Sequence, residues 1–213
     1  MLCLSSQAWS FDNWLARRDA EVVRQQRDYS CGLAALATLL RFDGVHLDEN
    51  ELLEQLLEGR PGRRVDDGGV SLADLAWLAA QQGFPARGYY LDSAALRNLR
   101  QPVIVALEVN GRAHFSVLRS VSDDGVAHLA DPSWGNHRVA AWEFSTMFST
   151  ENSTPGPDSS EAVAKAAPGR ALIVLGRDGG PLGAASKPLE DIPPVQRMAP
   201  AWLAPRERGP GDF

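Results

Sequence analysis

Apolar positions recur with a helical period in the first half of the chain and with a strand period in the second. Residues 9–24 read as a short, charged lead-in helix or arm. From Cys31 to about Phe42, Leu33, Leu36, Leu39 and Leu40 make a broad apolar face, with Ser30 at the capping position and Asp43-Gly44 as the stop. Asp48, with Glu51 three residues on, is a capping-box start for a helix over 49–57. Residues 58–70 are polar and Gly-rich and predict a loop. Ser71 and Asp74 open the next helix, which runs through Gln82 and stops at Gly83. The run PARGYYL predicts a short strand, and residues 93–100 a short helix ended by Gln101-Pro102.

The texture then changes. VIVALEV, HFSVLRSV and GVAHLADP are β-branched or alternating runs, separated by Asn110-Gly111 and Asp123-Asp124-Gly125. Those dipeptides favour tight hairpin turns, so an antiparallel meander is expected. Residues 142–148 predict one or two helical turns. The stretch 151–169 is rich in Ser, Pro, Gly and Ala and reads as a flexible insertion. RALIVLG, 170–176, supplies a last strand, and 179–213 is a Pro/Gly-rich extended or disordered arm. Helices first and sheet afterwards imply the α+β class rather than alternating βαβ units. One domain over 9–178 is expected, with no internal repeat.

Composition narrows the function classes. At 213 residues, 44% hydrophobic and 23% charged, the chain is expected to be a soluble globular protein with one real core. A net charge of -6 argues against nucleic acid or an anionic membrane as the main partner. No run of about 18 apolar residues is present to cross a membrane. Cys3 and Cys31 are too few for a disulfide framework. The start has two readings. It is a frayed terminus, or residues 1–8 are a signal-peptide remnant, with an apolar Leu2-Cys3-Leu4 and a small-x-small Ser6-Gln7-Ala8. On the second reading the protein works in the periplasm, where Cys31 is a lone thiol in an oxidising compartment; on the first it is cytoplasmic.

Cys31 then stands out. A cysteine in the first turn of a helix lies where unpaired N–H groups and the positive dipole end converge, which favours a thiolate. Gly32 keeps the backbone open beside it. Gln25, six residues upstream, is a neutral amide donor suited to an oxyanion. A base and its orienter are still needed. His46 and His137 fall in expected loops, His128 on a strand, and His114 at the start of the HFSVL strand. If that strand pairs with 126–130 as a hairpin, His114 and Asp131 meet at its open end, where an Asp can hold the imidazole tautomer. Each residue alone has a plain structural reading: a small buried Cys, a His at a strand edge, an Asp-Pro turn. Together the four supply distinct roles in one mechanism. No P-loop, CxxC, HExxH or EF-hand pattern occurs, so no cofactor or metal is called for. Asp66-Asp67-Gly68-Gly69 reads as a solvated loop, and the six tryptophans as core or groove walls.

These residues resemble the bacteriocin-processing, double-glycine leader peptidases, which are papain-like cysteine peptidases. The motifs are Gln25, Cys31-Gly32, Ala35-Leu36-Ala37, His114-Phe115-Ser116-Val117-Leu118 and Ala130-Asp131-Pro132, with the SLADLAWLAAQQGF segment in support. The similarity covers about residues 22–150. It implies a papain-like fold, Cys31 as nucleophile, His114 as general base and acid, Asp131 as orienter and Gln25 as oxyanion donor. Exporter-fused members usually carry an acidic residue just before the Cys, where this chain has Ser30, and they continue into transmembrane and ATPase domains. The chain is therefore similar to the stand-alone branch associated with functional-amyloid export in Gram-negative bacteria. The resemblance implies an exported protein or peptide as substrate, amyloid-system components among the partners, and cleavage after small residues such as Gly. Two other functions stay open: a catalytically silent module that binds an unfolded export substrate, and a transpeptidase or amidase using the same residues on another amide.

Overall fold

The computed structural model describes residues 12–65, 69–149 and 168–182. The N-terminal segment with Cys3, residues 66–68, most of the 151–169 insertion and the arm beyond Leu182 lie outside them.

The element order is α1 (Asp12–Arg18), α2 (Cys31–Arg41), α3 (Glu49–Gly59), α4 (Leu72–Gln81), β1 (Ala86–Leu91), α5 (Ser93–Arg97), β2 (Val103–Val109), β3 (Arg112–Val121), β4 (Ala127–Asp131), β5 (Gly135–Val139), α6 (Ala141–Phe148) and β6 (Gly169–Val174). The fold is α+β, as the sequence implies. All strand pairs are antiparallel, in the order β1-β6-β2-β3-β4-β5. The middle of the sheet is the expected meander. Its first turn places Asn110 and Gly111 at φ 53° and 72°, the left-handed pair that a two-residue hairpin requires. The last strand inserts between β1 and β2, pairing Leu172 with Ile104 and Gly88.

Alternation along the strands divides the core into two. Ile104, Val117, Ala130, Leu172 and Val174 face α2, α3 and α4, where they meet Leu33, Leu36, Leu52, Leu75 and Leu78. Val103, Val105, Leu118, Leu129 and Ala171 face the other way, onto Leu96, Phe144 and Phe148 of α5 and α6. The rings of Phe144 and Phe148 stack with centroids 5.5 Å apart. A central strand buried on both faces through Val105 explains why β2 opens as the unbroken apolar run Val103-Ile104-Val105-Ala106-Leu107, with Glu108 exposed near its end.

Helix α2 is buried from Cys31 through Leu40. It is a core helix rather than a half-exposed one, which fixes its N-terminus tightly in space. The predicted Asp48–Glu51 capping box forms, and the Ser71–Asp74 helix start proves to be a second one. Asp48 accepts from Asn50 and Glu51 N–H, and Ser71 accepts from Asp74 N–H while Asp74 returns to Ser71 N–H at 2.9 Å. Asp74 does more than cap. It is buried and receives Arg60 at 2.9 Å and Arg63 at 2.8 Å, so the α3–α4 loop is pinned to the start of α4. Arg63 also holds the Gly69 carbonyl at 3.0 Å.

Leu36→Ala, in the fully buried part of α2, is expected to destabilise the fold by about 2–5 kcal/mol, because the cavity left behind cannot collapse. Leu57→Ala on α3, where the side chain is 42% exposed, is expected to change stability by less than about 0.5 kcal/mol. Urea unfolding of the two variants measures both; equal effects would contradict this division of the core.

Candidate active site

Cys31 is the first residue of α2, a free thiol with 8% of its surface exposed. The loop that delivers it is held from beneath. Glu49, at the start of α3, is fully buried and accepts from Gln26 N–H at 3.0 Å, Arg27 Nη1 at 3.1 Å and Ser30 Oγ at 2.7 Å. A buried carboxylate needs such a set of donors to offset its lost hydration. Ser30 occupies the expected N-cap position but makes no capping bond to the helix; its hydroxyl is committed to Glu49 and accepts from Arg27 N–H. The carboxylate that Ser30 itself lacks thus arrives from α3.

His114 and Asp131 meet at the open end of the β3–β4 hairpin. Val117 pairs with Ala130 and Leu118 with Leu129, with a register shift beyond Leu118. The His114 Nε2–H donates to Asp131 Oδ2 at 2.8 Å. This commits Nε2 and leaves Nδ1 as the ring nitrogen available to the neighbouring Cys31 sulfur, whose interaction with the ring contributes to its raised pKa. Asp131 Oδ1 accepts from Ser133 N–H at 2.8 Å and Trp134 N–H at 3.0 Å, so the carboxylate also folds the turn that follows it. That turn ends on Gly135 at φ 80°, where a Cβ would lie 2.5 Å from the Arg18 carbonyl oxygen.

Gln25 is tied to the same turn. Its N–H donates to the Pro132 carbonyl at 3.1 Å, and its Oε1 accepts from Ser133 Oγ at 2.8 Å. Its Nε2 donates to the Arg27 carbonyl at 3.2 Å. A carbonyl can only accept, so this contact fixes which end of the amide is NH2 and leaves its second hydrogen available. The sequence-selected residues therefore converge: hydrogen bonds join Gln25 to the Asp131 turn and to the loop before Cys31, and Asp131 to His114, which lies beside Cys31.

The charges reinforce one another. Burial pulls the His114 pKa down, but the hydrogen bonds to Asp131 and Cys31 and their negative charge override it and raise it to about 10. Burial pushes Asp131 up, yet the His114 hydrogen bond and charge, His137 and the Ser133 N–H hold it below the usual carboxylate range. A thiol at a helix start, an imidazole held by a carboxylate and a side-chain amide are the groups that thiol acyl transfer would draw on.

Some expectations need correcting. His137 is not in a loop. It lies buried on β5, with Nδ1 3.0 Å from the Gly135 carbonyl. Of the tryptophans among the described residues only Trp77 packs against the core, half-buried; Trp14, Trp134 and Trp142 are exposed, and none of the four lines the groove beside Cys31. The polar strand β5 and the supporting roles of Glu49 and Ser133 were not anticipated.

A groove of about 790 Å³ begins at Cys31, with Gly69, Val70 and Ala73 on one wall and Ala106, Ala113 and Phe115 on the other. Gly32 carries no side chain because none fits: a Cβ there would lie 2.4 Å from Val70 and 3.0 Å from Phe115.

With the fold and site in place, comparison with known proteins identifies the class. Residues 19–158 match the Peptidase C39 family, and the chain belongs to that family. It is 38% identical over 129 residues to the "probable functional amyloid protease FapD" of Pseudomonas aeruginosa, a stretch covering 60% of this chain and 57% of that protein. The chain thus matches a little over half the length of that relative. Its fold resembles the peptidase domain of Streptococcus ComA, a bifunctional ABC transporter, with a TM-score of 0.56 and 18% identity over 72% of this chain and 96% of that one. It also resembles a double-glycine-motif protease from an AMS/PCAT transporter in complex with its leader peptide, at a TM-score of 0.52 and 22% identity over 72% and 89%.

The His114 pKa gives a signed prediction. Folding raises it above its unfolded value of about 6.5, so its stabilisation is complete below that pH and is lost as pH rises through about 10. The stability difference between wild type and His114→Gln, from urea midpoints, should be largest at low pH and shrink steadily toward pH 10. A difference that stays flat or grows over that interval would contradict the assigned environment.

Proposed function

We propose that the protein is a cysteine peptidase that cuts an exported polypeptide after a small residue such as glycine, in the periplasm, as part of functional-amyloid secretion or leader processing. The observation that carries this reading is the His114 ring, held by Asp131 through Nε2 at 2.8 Å, with its other nitrogen uncommitted and Cys31 beside it at the start of α2. The similarity to FapD and to a leader-peptide protease supports the substrate class.

In this reading the proton of the resting pair sits on His114 and the negative charge on the Cys31 sulfur. The sulfur attacks the scissile carbonyl and the C–O π electrons move to oxygen. The Gln25 Nε2–H and the first amide of α2, which has no partner within the helix, hold that oxyanion. Collapse expels the amine, which takes the His114 Nδ1 proton. Neutral His114 then draws a proton from water, whose oxygen attacks the thioester and frees the acid, returning the proton to His114. Asp131 keeps Nε2 protonated throughout, so Nδ1 alone shuttles.

The test is a panel of quenched peptides presenting Gly-Gly, Gly-Ala or Leu-Leu, incubated with the full chain and read by mass. Cleavage after glycine is expected. It should be abolished in Cys31→Ala and slowed about 10²–10⁴-fold in His114→Ala, the usual worth of a positioned acid–base group. Cleavage that persists in Cys31→Ala would sink the assignment. Peptides bound but never cut would turn the protein into a silent binding module.

A further inference from the structure

The groove does not stop at the groups used above. In β6, Arg170 pairs with Tyr90 of β1. The Ile104–Leu172 and Val105–Ala171 pairs continue in register to set Arg170 beside Ala106, which pairs with Phe115. Tyr90, Arg170, Ala106 and Phe115 therefore form one row across the sheet, on the face that α2 covers only in part. The row starts at Phe115, which touches the face of Gly32 beside Cys31. A second hollow of about 330 Å³ shares Ala106, Ala113 and Arg170 with the groove and carries it on toward Tyr90 and Phe148.

Two cations stand in this groove. Arg112, at the β2–β3 turn, and Arg170 both line it, and both are exposed. The arginines around the nucleophile's loop and the α3–α4 loop are spent on carboxylates: Arg24 on Asp19, Arg27 on Glu49, Arg60 and Arg63 on Asp74. The guanidinium groups of Arg112 and Arg170 make no hydrogen bond or ion pair among the described residues. Among the described residues the groove's carboxylates are Asp28, which lines it with the cysteine, and Glu108, in the second hollow. In a chain of net charge -6, two guanidinium groups stand uncommitted on one path from the nucleophile.

We propose that Arg112 and Arg170 form a subsite for an acidic side chain, so that the peptide lying in the groove carries an Asp or Glu in the stretch that crosses β2 and β6. This rests on the peptidase reading for the direction of the groove, but not for the chemistry of the subsite. A guanidinium offers paired N–H donors that match a carboxylate, and the apolar floor of Ala106 and Ala113 limits competition from water.

The experiment uses the full chain carrying Cys31→Ala and fluorescent, C-terminally amidated peptides with one Gly-Gly pair, in which Glu, Gln or Lys is moved along the sequence. Amidation removes the terminal carboxylate as a rival ligand. At one position Glu should bind roughly tenfold tighter than Lys at low salt, with the advantage fading in about 0.5 M NaCl. It should vanish in Arg112→Ala/Arg170→Ala and invert in Arg112→Glu/Arg170→Glu, with thermal unfolding unchanged. No preference at any position, or a preference that survives the double alanine variant, overturns the subsite. The same peptides given to the Cys31-containing chain separate the two ideas. Charge-dependent binding without cleavage keeps the subsite and removes the peptidase; cleavage without charge preference does the reverse.

Discussion

The Asp131 carboxylate is the constraint on which the candidate site depends. It is buried, and it satisfies both oxygens inside the protein: Oδ2 on His114, Oδ1 on the amides of Ser133 and Trp134. One oxygen orients the ring, and the other shapes the turn. The turn then supplies Pro132 and Ser133 to Gln25. Removing the carboxylate would therefore release the ring and take the acceptor from the Ser133 and Trp134 amides, and the amide donor would lose its anchor with them. A single buried acceptor couples groups that lie far apart in sequence, at the hairpin end and in the loop before α2.

The other half of the arrangement is rigidity beneath the thiol. Helix α2 is buried along nearly its whole length, so its first residue cannot drift without disturbing the core. Glu49 fixes the loop ahead of it, and Asp74 fixes the loop that walls the groove. These two carboxylates each gather several donors, which is how buried charge is tolerated. Both sit in the first turn of a helix, where the dipole adds to their stabilisation. The polar chemistry thus rests on local helix-start devices that long-range arginines then lock.

What was legible in the sequence follows from the range of the interactions. The two capping boxes, the Asn110-Gly111 hairpin and the apolar face of α2 are rules acting over a few residues, and each forms where the pattern places it. The meeting of His114 with Asp131 needed only one assumption, that a hairpin closes between them. Strand β5 escaped because GNHRV has no apolar alternation. Its burial depends on polar contacts from elsewhere, such as Asn136 reaching the Ala20 carbonyl at 2.8 Å. Glu49 and Ser133 escaped for the same reason: their partners are 19 and 108 residues away. The position of β6 between β1 and β2 is likewise a long-range choice that no local pattern states. The tryptophans misled because bulk suggests core, whereas Trp134 takes its place from a turn that Asp131 folds.

The central claim is that His114, held by Asp131, activates Cys31. The most direct measurement is the rate at which iodoacetamide labels Cys31 at pH 6, mapped by peptide mass, in wild type and in His114→Ala. An ordinary thiol titrates near about 8.5 and is almost unreactive at that pH. The account predicts labelling of wild type at least about tenfold faster than of the variant. Equal rates in the two proteins would mean that the imidazole does not act on the sulfur, and would contradict it.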